Sequence, residues 1–231
     1  MDWLDNIGLD VPNDDYNEVL NVDDSDTQWQ KDRLGKFTSS RIGALMTSGR
    51  GKDKYWGDTA MSYIYEKIAE LMTGVPHYIT ESKAMDWGTD HEPIAIERYN
   101  EVTDNNAYHM GKMFIKFNEI CGGSPDAFVG DYGILEVKCP YNSANHIRTY
   151  ITGEVDKNYL YQCQGNMLFS DRKWCDFVSF DPRMPEELQL KIIRVERDEE
   201  ICNAILERIN KAAEEILKIQ EQTGIKINIK F

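Results

Sequence analysis

Apolar residues between Thr59 and Met72 recur every three or four positions, at Met61, Ile64, Tyr65, Ile68, Leu71 and Met72. That period lines one face of an α-helix, and Gly74 supplies its stop. A similar pattern from about Asp90 to Val102 (Ile94, Ile96, Tyr99, Val102) predicts a second helix, with Glu92 at its start and Pro93 in its first turn. Further helices are expected over about Lys157–Phe169 and Asp198–Thr223. The last carries Ile201, Ile205, Ile209, Ala212, Ile216 and Ile219 on one stripe, which suits packing on the core or on a neighbouring subunit. Near Phe37, Thr38 or Ser39 can cap a short helix bearing Ile42, Leu45 and Met46. Strands are expected near Trp174–Phe180 and Leu188–Val195. Between Ser124 and Pro140, two short β-type runs flank Gly130-Asp131-Tyr132-Gly133, a hairpin signal. Strands and helices mixed in this way predict an α/β fold with a central mixed β-sheet flanked by helices.

Length and composition (231 residues, 41% hydrophobic) allow one well-buried domain, placed at 27–231. Ahead of it, residues 1–26 read as an acidic arm, either a solvated tail or a partner-binding or DNA-mimicking segment. All nine acidic side chains of residues 1–30 lie in that arm, and this stretch has no Lys or Arg. The apolar runs are far shorter than the roughly 18 residues of a membrane span, and MDWLDNIGLD lacks the charge and apolar blocks of a secretory signal. A cytoplasmic protein without membrane contact is expected. Five cysteines at wide spacing, with no C-x-x-C pair, argue against disulfides, a zinc ribbon or an iron–sulfur cluster and fit reduced, buried thiols. Four scattered histidines offer no paired zinc ligands on one helical face.

Within the hairpin, Glu136 and Lys138 stand two apart on one strand and project from the same face, while the turn brings Asp126 back beside them. Two carboxylates and a lysine at one sheet edge are the set that metal-assisted phosphodiester hydrolysis requires. A bare E-x-K also fits a cross-strand ion pair. Charged groups inside the apolar run Ile134, Leu135, Val137 and Cys139 are costly unless they face a cleft or an ion.

The chain resembles the PD-(D/E)xK nuclease superfamily and, within it, the phage lambda exonuclease family of YqaJ-like viral recombinases. The matching blocks are Trp29 with Arg33-Leu34-Gly35 and Thr38-Ser39-Ser40; Met61-Ser62-Tyr63; Trp87-Gly88 with Glu92; Ser124-Pro125-Asp126; Glu136-Val137-Lys138-Cys139-Pro140; Tyr159, Gln162 and Gln164; and Asp181-Pro182-Arg183-Met184. They span about residues 29–184. The resemblance implies magnesium, replaceable by manganese, held by Asp126, Glu136 and the Val137 carbonyl, with Glu92 approaching from its helix. It implies that Lys138 orients or helps deprotonate the attacking water, supported by Gln162 and Tyr159. Arg33, Ser40 and Ser124 match residues that hold a terminal 5′-phosphate; Arg50, Lys52 and Tyr159 are the implied DNA contacts, Arg50 in its basic loop resembling a side chain inserted into the duplex. For Glu92 a capping role in a first helical turn is the alternative, for Ser40 a simple cap, and for Arg50 and Lys52 a solvated loop.

The activity implied is 5′-to-3′ degradation of one strand of linear double-stranded DNA. The product is a 3′ overhang for phage-type recombination, made by a trimeric ring with a single-strand annealing protein as partner. A net charge of −14 is unusual for a DNA enzyme, but residues 1–30 hold so much of it that about −5 remains for the other 201 residues. The alternatives are another PD-(D/E)xK nuclease, restriction-type or RecB-like, and a non-catalytic DNA-end-binding protein.

Overall fold

Strand β6 (Gly133–Lys138) organises the architecture. Its odd positions Leu135, Val137 and the following Cys139 pack into one apolar cluster, and Ile134 into another. This is the alternation of a strand covered on both faces. The computed structural model describes residues 24–50, 55–77, 82–109 and 111–227, so most of the acidic arm and Lys52 lie outside the described residues.

Around β6 runs a five-stranded mixed sheet in which β2 (Ala107–Tyr108) and β5 (Ala127–Val129) lie on one side. On the other lie β7 (Trp174–Phe180) and β8 (Leu190–Glu196), giving the order β2-β5-β6-β7-β8. Antiparallel pairing of β5 with β6 confirms the hairpin, with Ala127 opposite Leu135 and Val129 opposite Gly133. Only β6 and β7 are parallel in this sheet, and the crossover that parallel pairing needs is supplied by α5 (Ser143–Thr152) and α6 (Lys157–Ser170). A second sheet of three short strands, β1 (Phe37–Thr38), β4 (Cys121–Gly123) and β3 (Ile115–Lys116), has the order β1-β4-β3.

Helix α4 (Lys83–Thr103) covers one face of the main sheet: Ala95, Ile96 and Tyr99 join Leu135, Val137, Val178 and Phe180. Helix α6 covers the other, where Cys163 and Met167 meet Ile134, Cys175 and Phe177. Beyond it, α2 (Ile42–Leu45), α3 (Asp58–Thr73) and α7 (Glu199–Thr223) share a third cluster. The isoleucine stripe of α7 therefore packs on the core, with Ile205, Ile209 and Ile216 buried. All five cysteines are buried and free, as their spacing suggests, and burial pushes Cys121 and Cys139 up to about 12. Among the described residues, no helix is long and apolar enough to cross a membrane.

Several expected boundaries change. Helix α4 begins near Lys83, where the Ser82 side chain accepts from the Met85 N–H, so Pro93 lies in its interior. Packing of Ala95, Ile96 and Tyr99 and a Tyr99 Oη–Asp176 hydrogen bond of 2.7 Å hold the helix across the missing proline donor. Glu92 is thus mid-helix, which removes the capping role. Thr38 makes no side-chain cap bond; it ends β1, and a short 3-10 turn precedes α2. Helices α1 (Asp24–Arg33) and α5 and strands β1 to β4 were not expected.

Candidate active site

At the C-terminal end of β6, Lys138 Nζ contacts Glu136 Oε1 and donates to the Val137 carbonyl at 3.1 Å. Asp126, from the segment entering β5, accepts from the Val137 N–H through Oδ2 at 2.6 Å. The hairpin thus assembles Asp126, Glu136 and Lys138 as its register requires. Glu136 is 0% exposed, and its other oxygen accepts from Asn166 Nδ2 at 2.9 Å. Asn166, on α6, in turn accepts from the buried Ser39 Oγ at 2.5 Å. A Cβ at Gly123 would lie 2.5 Å from Asn166 Oδ1 and 2.8 Å from Ser39 Oγ, so glycine is what lets β4 lie against this pair.

Helical spacing places Tyr159, Gln162 and Asn166 on one face of α6. Asn166 reaches Glu136, while the Tyr159 ring lies 5.3 Å from Lys138 Nζ and stacks on Phe177. Gln162 is half-buried between them along the helix. Gln164 points elsewhere: its side chain bonds the Glu196 carbonyl and the Asp198 N–H at 2.8 and 2.9 Å, fixing the turn into α7. Glu92 enters from α4 on the opposite side of the sheet, its Oε1 3.4 Å from His109 Nε2.

These carboxylates are electrostatically uncomfortable. Burial, and then repulsion from Asp126, pushes Glu92 up to about 7. The same two causes push Glu136 up to about 8, with Lys138 opposing. Burial also raises Asp126 against the pull of Lys138 and the Val137 N–H. Burial disfavours the Lys138 ammonium, but Glu136 and Asp126 outweigh it and hold the group above its ordinary value.

Asp126, Glu136 and Glu92 are buried or half-buried carboxylates whose crowding a divalent cation would relieve, and carboxylate and carbonyl oxygens are the ligands magnesium prefers. Glu136 Oε1 and the Val137 carbonyl already converge on the Lys138 ammonium, a cation. The donor set therefore fits magnesium, although among the described residues no three His, Cys, Asp or Glu side chains are grouped as ligands.

A second constellation adjoins the first. Trp29 Nε1 donates to Ser124 Oγ at 3.0 Å, the Arg33 guanidinium lies 4.0 Å from the centre of the Trp29 ring, and Arg33 Nη2 donates to Ser40 Oγ at 3.3 Å. Arg33, Ser40 and Ser124 are thus joined through Trp29, and Ser124 is two residues from Asp126. Burial lowers the Arg33 pKa, opposed by Tyr63 and Glu70. Arg50 is exposed. Near it, Arg208 of α7 holds Ser48 Oγ at 2.7 Å and the Tyr55 carbonyl at 3.2 Å.

Residues 28–173 match the family model described as the YqaJ-like viral recombinase domain. The chain belongs to this family. It is similar to the crystal structure of an alkaline exonuclease (LHK-Exo) from Laribacter hongkongensis, at 34% identity and a TM-score of 0.76 over 86% of this chain and 96% of that one. The structure of LHK-Exo in complex with dAMP gives 34% identity and a TM-score of 0.74, over 86% and 98% of the two chains. A phage related exonuclease from Haemophilus somnus 129PT shares the fold at 19% identity, with a TM-score of 0.65 over 81% and 96%. No curated protein matches the chain. The architecture of the chain is that of PD-(D/E)xK-type exonucleases, with mixed sheets flanked by helices.

In the sequence alone, Asn166 and His109 have no assigned role, and Ser39 only that of a candidate helix cap within a matching block. For Asn166 a signal existed: it lies four residues beyond Gln162 and seven beyond Tyr159, on the face of α6 already assigned to the site.

Proposed function

We propose that this protein is a magnesium-dependent exonuclease that degrades one strand of linear double-stranded DNA from its 5′ end and leaves a 3′ single-stranded overhang for recombination by strand annealing. The observation that carries the reading is the continuity of the two constellations. Arg33, Ser40 and Ser124 form a cationic, hydroxyl-bearing cluster linked through Trp29, and only Pro125 separates Ser124 from Asp126. A terminal phosphate held in the first would present a neighbouring phosphodiester to the second.

Asp126, Glu136 and the Val137 carbonyl would hold the metal, with Glu92 approaching it from α4. When bound, magnesium supplies charge neutralisation at the phosphate and acidity to a water. Lys138, kept as an ammonium by its carboxylate neighbours, donates hydrogen bonds that orient the attacking water, and Tyr159 and Gln162 limit its movement. Asn166 fixes the Glu136 carboxylate. The resemblance extends the reading to a trimeric ring acting with a single-strand annealing protein, and to manganese as a substitute metal.

Two expected outcomes test the parts. Removing the 5′-phosphate from a linear duplex slows digestion, and Arg33→Ala erases the difference by slowing only the phosphorylated substrate; equal parental rates on both ends would count against the pocket. For Asn166→Ala, calorimetric titration is expected to show magnesium or manganese affinity falling by about 10- to 100-fold, the usual effect of losing a group that orients a ligand. Unchanged affinity would take Asn166 out of the metal site.

A further inference from the structure

We propose that Tyr141 forms a stacking subsite for a nucleobase of the strand being cut, beside the scissile phosphate. The inference rests on the exonuclease reading above and adds a contact to the base that the carboxylate cluster and the phosphate pocket do not supply.

Tyr141 follows Lys138 by three residues on the segment leaving β6, and its side chain is 51% exposed. Its backbone is unusually well fixed for an exposed position. Arg183 donates to the carbonyls of Tyr141 and Pro140 at 3.1 and 3.0 Å. The same guanidinium forks onto Asp181 at 2.7 and 2.8 Å, and Asp181 is fully buried. Burial alone would raise the Asp181 pKa, but the bonds from Arg183 hold it below the ordinary carboxylate range, so the clamp stays charged.

The ring itself stands edge-on to Trp87, with centroids 6.1 Å apart and planes at 77°. Trp87 is itself engaged, stacked on the His91 ring at 3.7 Å and with the Arg183 guanidinium 4.3 Å from its ring centre. It therefore supports Tyr141 from one edge. Two elements that deliver site residues, α4 with Glu92 and the end of β6 with Lys138, thus also position this ring.

Other exposed rings are placed differently. Tyr132 sits in the turn at the opposite end of β6, and Tyr159 is already stacked on Phe177 and faced by Lys138. An aromatic face held rigidly beside a phosphodiester site suits base stacking, which tolerates any sequence and loses little side-chain entropy.

The test is steady-state digestion of linear duplexes in magnesium by the parent, Tyr141→Leu and Tyr141→Phe. Substrates are intact, or carry an abasic nucleotide on one side or the other of the first scissile bond. Tyr141→Leu is expected to raise KM about tenfold with kcat nearly unchanged, and Tyr141→Phe to match the parent. An abasic nucleotide at one of the two positions should raise the parental KM by a similar factor and leave that of Tyr141→Leu unaffected. A parent indifferent to base removal at both positions, or an abasic penalty that persists undiminished in Tyr141→Leu, overturns the subsite. The first comparison needs no variant to fold. Failure of the parent to digest linear duplex in magnesium would instead overturn the exonuclease reading itself.

Discussion

Lys138→Ala is expected to lower the rate of DNA hydrolysis by about 1000-fold while leaving affinity for duplex ends within a few-fold of the parent. Lys138 Nζ is the cation in contact with Glu136 Oε1 and the Val137 carbonyl, and its ring neighbour Tyr159 restricts where it can go. Among the described residues, alanine removes the only lysine or arginine cation in contact with Glu136, but it touches neither Arg33 nor Ser40 and Ser124. Catalysis and end binding should therefore separate. Single-turnover cleavage and equilibrium binding, measured on a variant whose melting is also recorded, check this. Unchanged cleavage would remove Lys138 from the chemistry and favour a DNA-end-binding protein whose E-x-K is only an ion pair.

The second large effect is on stability. Without metal, the folded protein should lose stability as pH rises from about 5 to 8, and saturating magnesium should cancel most of the loss. The sign follows from proton counting. Glu136 is raised from 4.5 to about 8 and Glu92 from 4.5 to about 7, so across this window the folded state holds protons that the unfolded chain has already released. Stability contributed by those protonated carboxyls is full below the unfolded value and falls as pH approaches the folded value. Lys138 is charged in both states over this range and adds no slope. A loss on the order of 3 kcal/mol, or roughly 5–10 °C in Tm, is expected in a chelator such as EDTA. Metal binding, which needs the deprotonated forms, should stabilise more strongly as pH rises. Glu136→Gln should flatten the metal-free profile and abolish much of the magnesium effect. A metal-free Tm that rises over this interval would contradict the buried-carboxylate account.

How far the sequence foretold this structure depended on how each element is anchored. Helices α3 and α7 carry long apolar stripes, and strand β7 is apolar along most of its length, so their positions were legible to within a residue or two. Helix α1 has no stripe; its packing comes from Trp29 and Arg33 reaching Ser124 and Ser40, partners distant or unremarkable in sequence. Helix α5 buries only His146, which bonds Ser179 Oγ and the Leu188 carbonyl at 2.8 Å each. Strands of two or three residues, such as β2, β3 and β4, are too short to show a period. The start of α4 was misplaced because Pro93 suits a first helical turn, whereas tertiary packing of Ala95, Ile96 and Tyr99 carries the helix through it.

For the site, the hairpin spacing correctly brought Asp126, Glu136 and Lys138 together, because register alone decides which side chains share a face. The resemblance, rather than any periodicity, picked out Arg33, Ser40 and Ser124. Asn166 escaped, and Ser39 read only as a cap, because a buried polar side chain has no meaning until the carboxylate network it serves is in place.

The measurement that tests the central claim most directly is the release of label from a linear duplex phosphorylated at its 5′ ends, with one strand marked at its 5′ terminus or, in a second preparation, at its 3′ terminus. With magnesium, the 5′ mark should leave early in small products while the 3′ mark stays on a shortening strand, EDTA should stop both, and a closed circular duplex should remain intact. Early loss of the 3′ mark, cutting of the circle, or equal release in EDTA would contradict a metal-dependent exonuclease entering at the 5′ end.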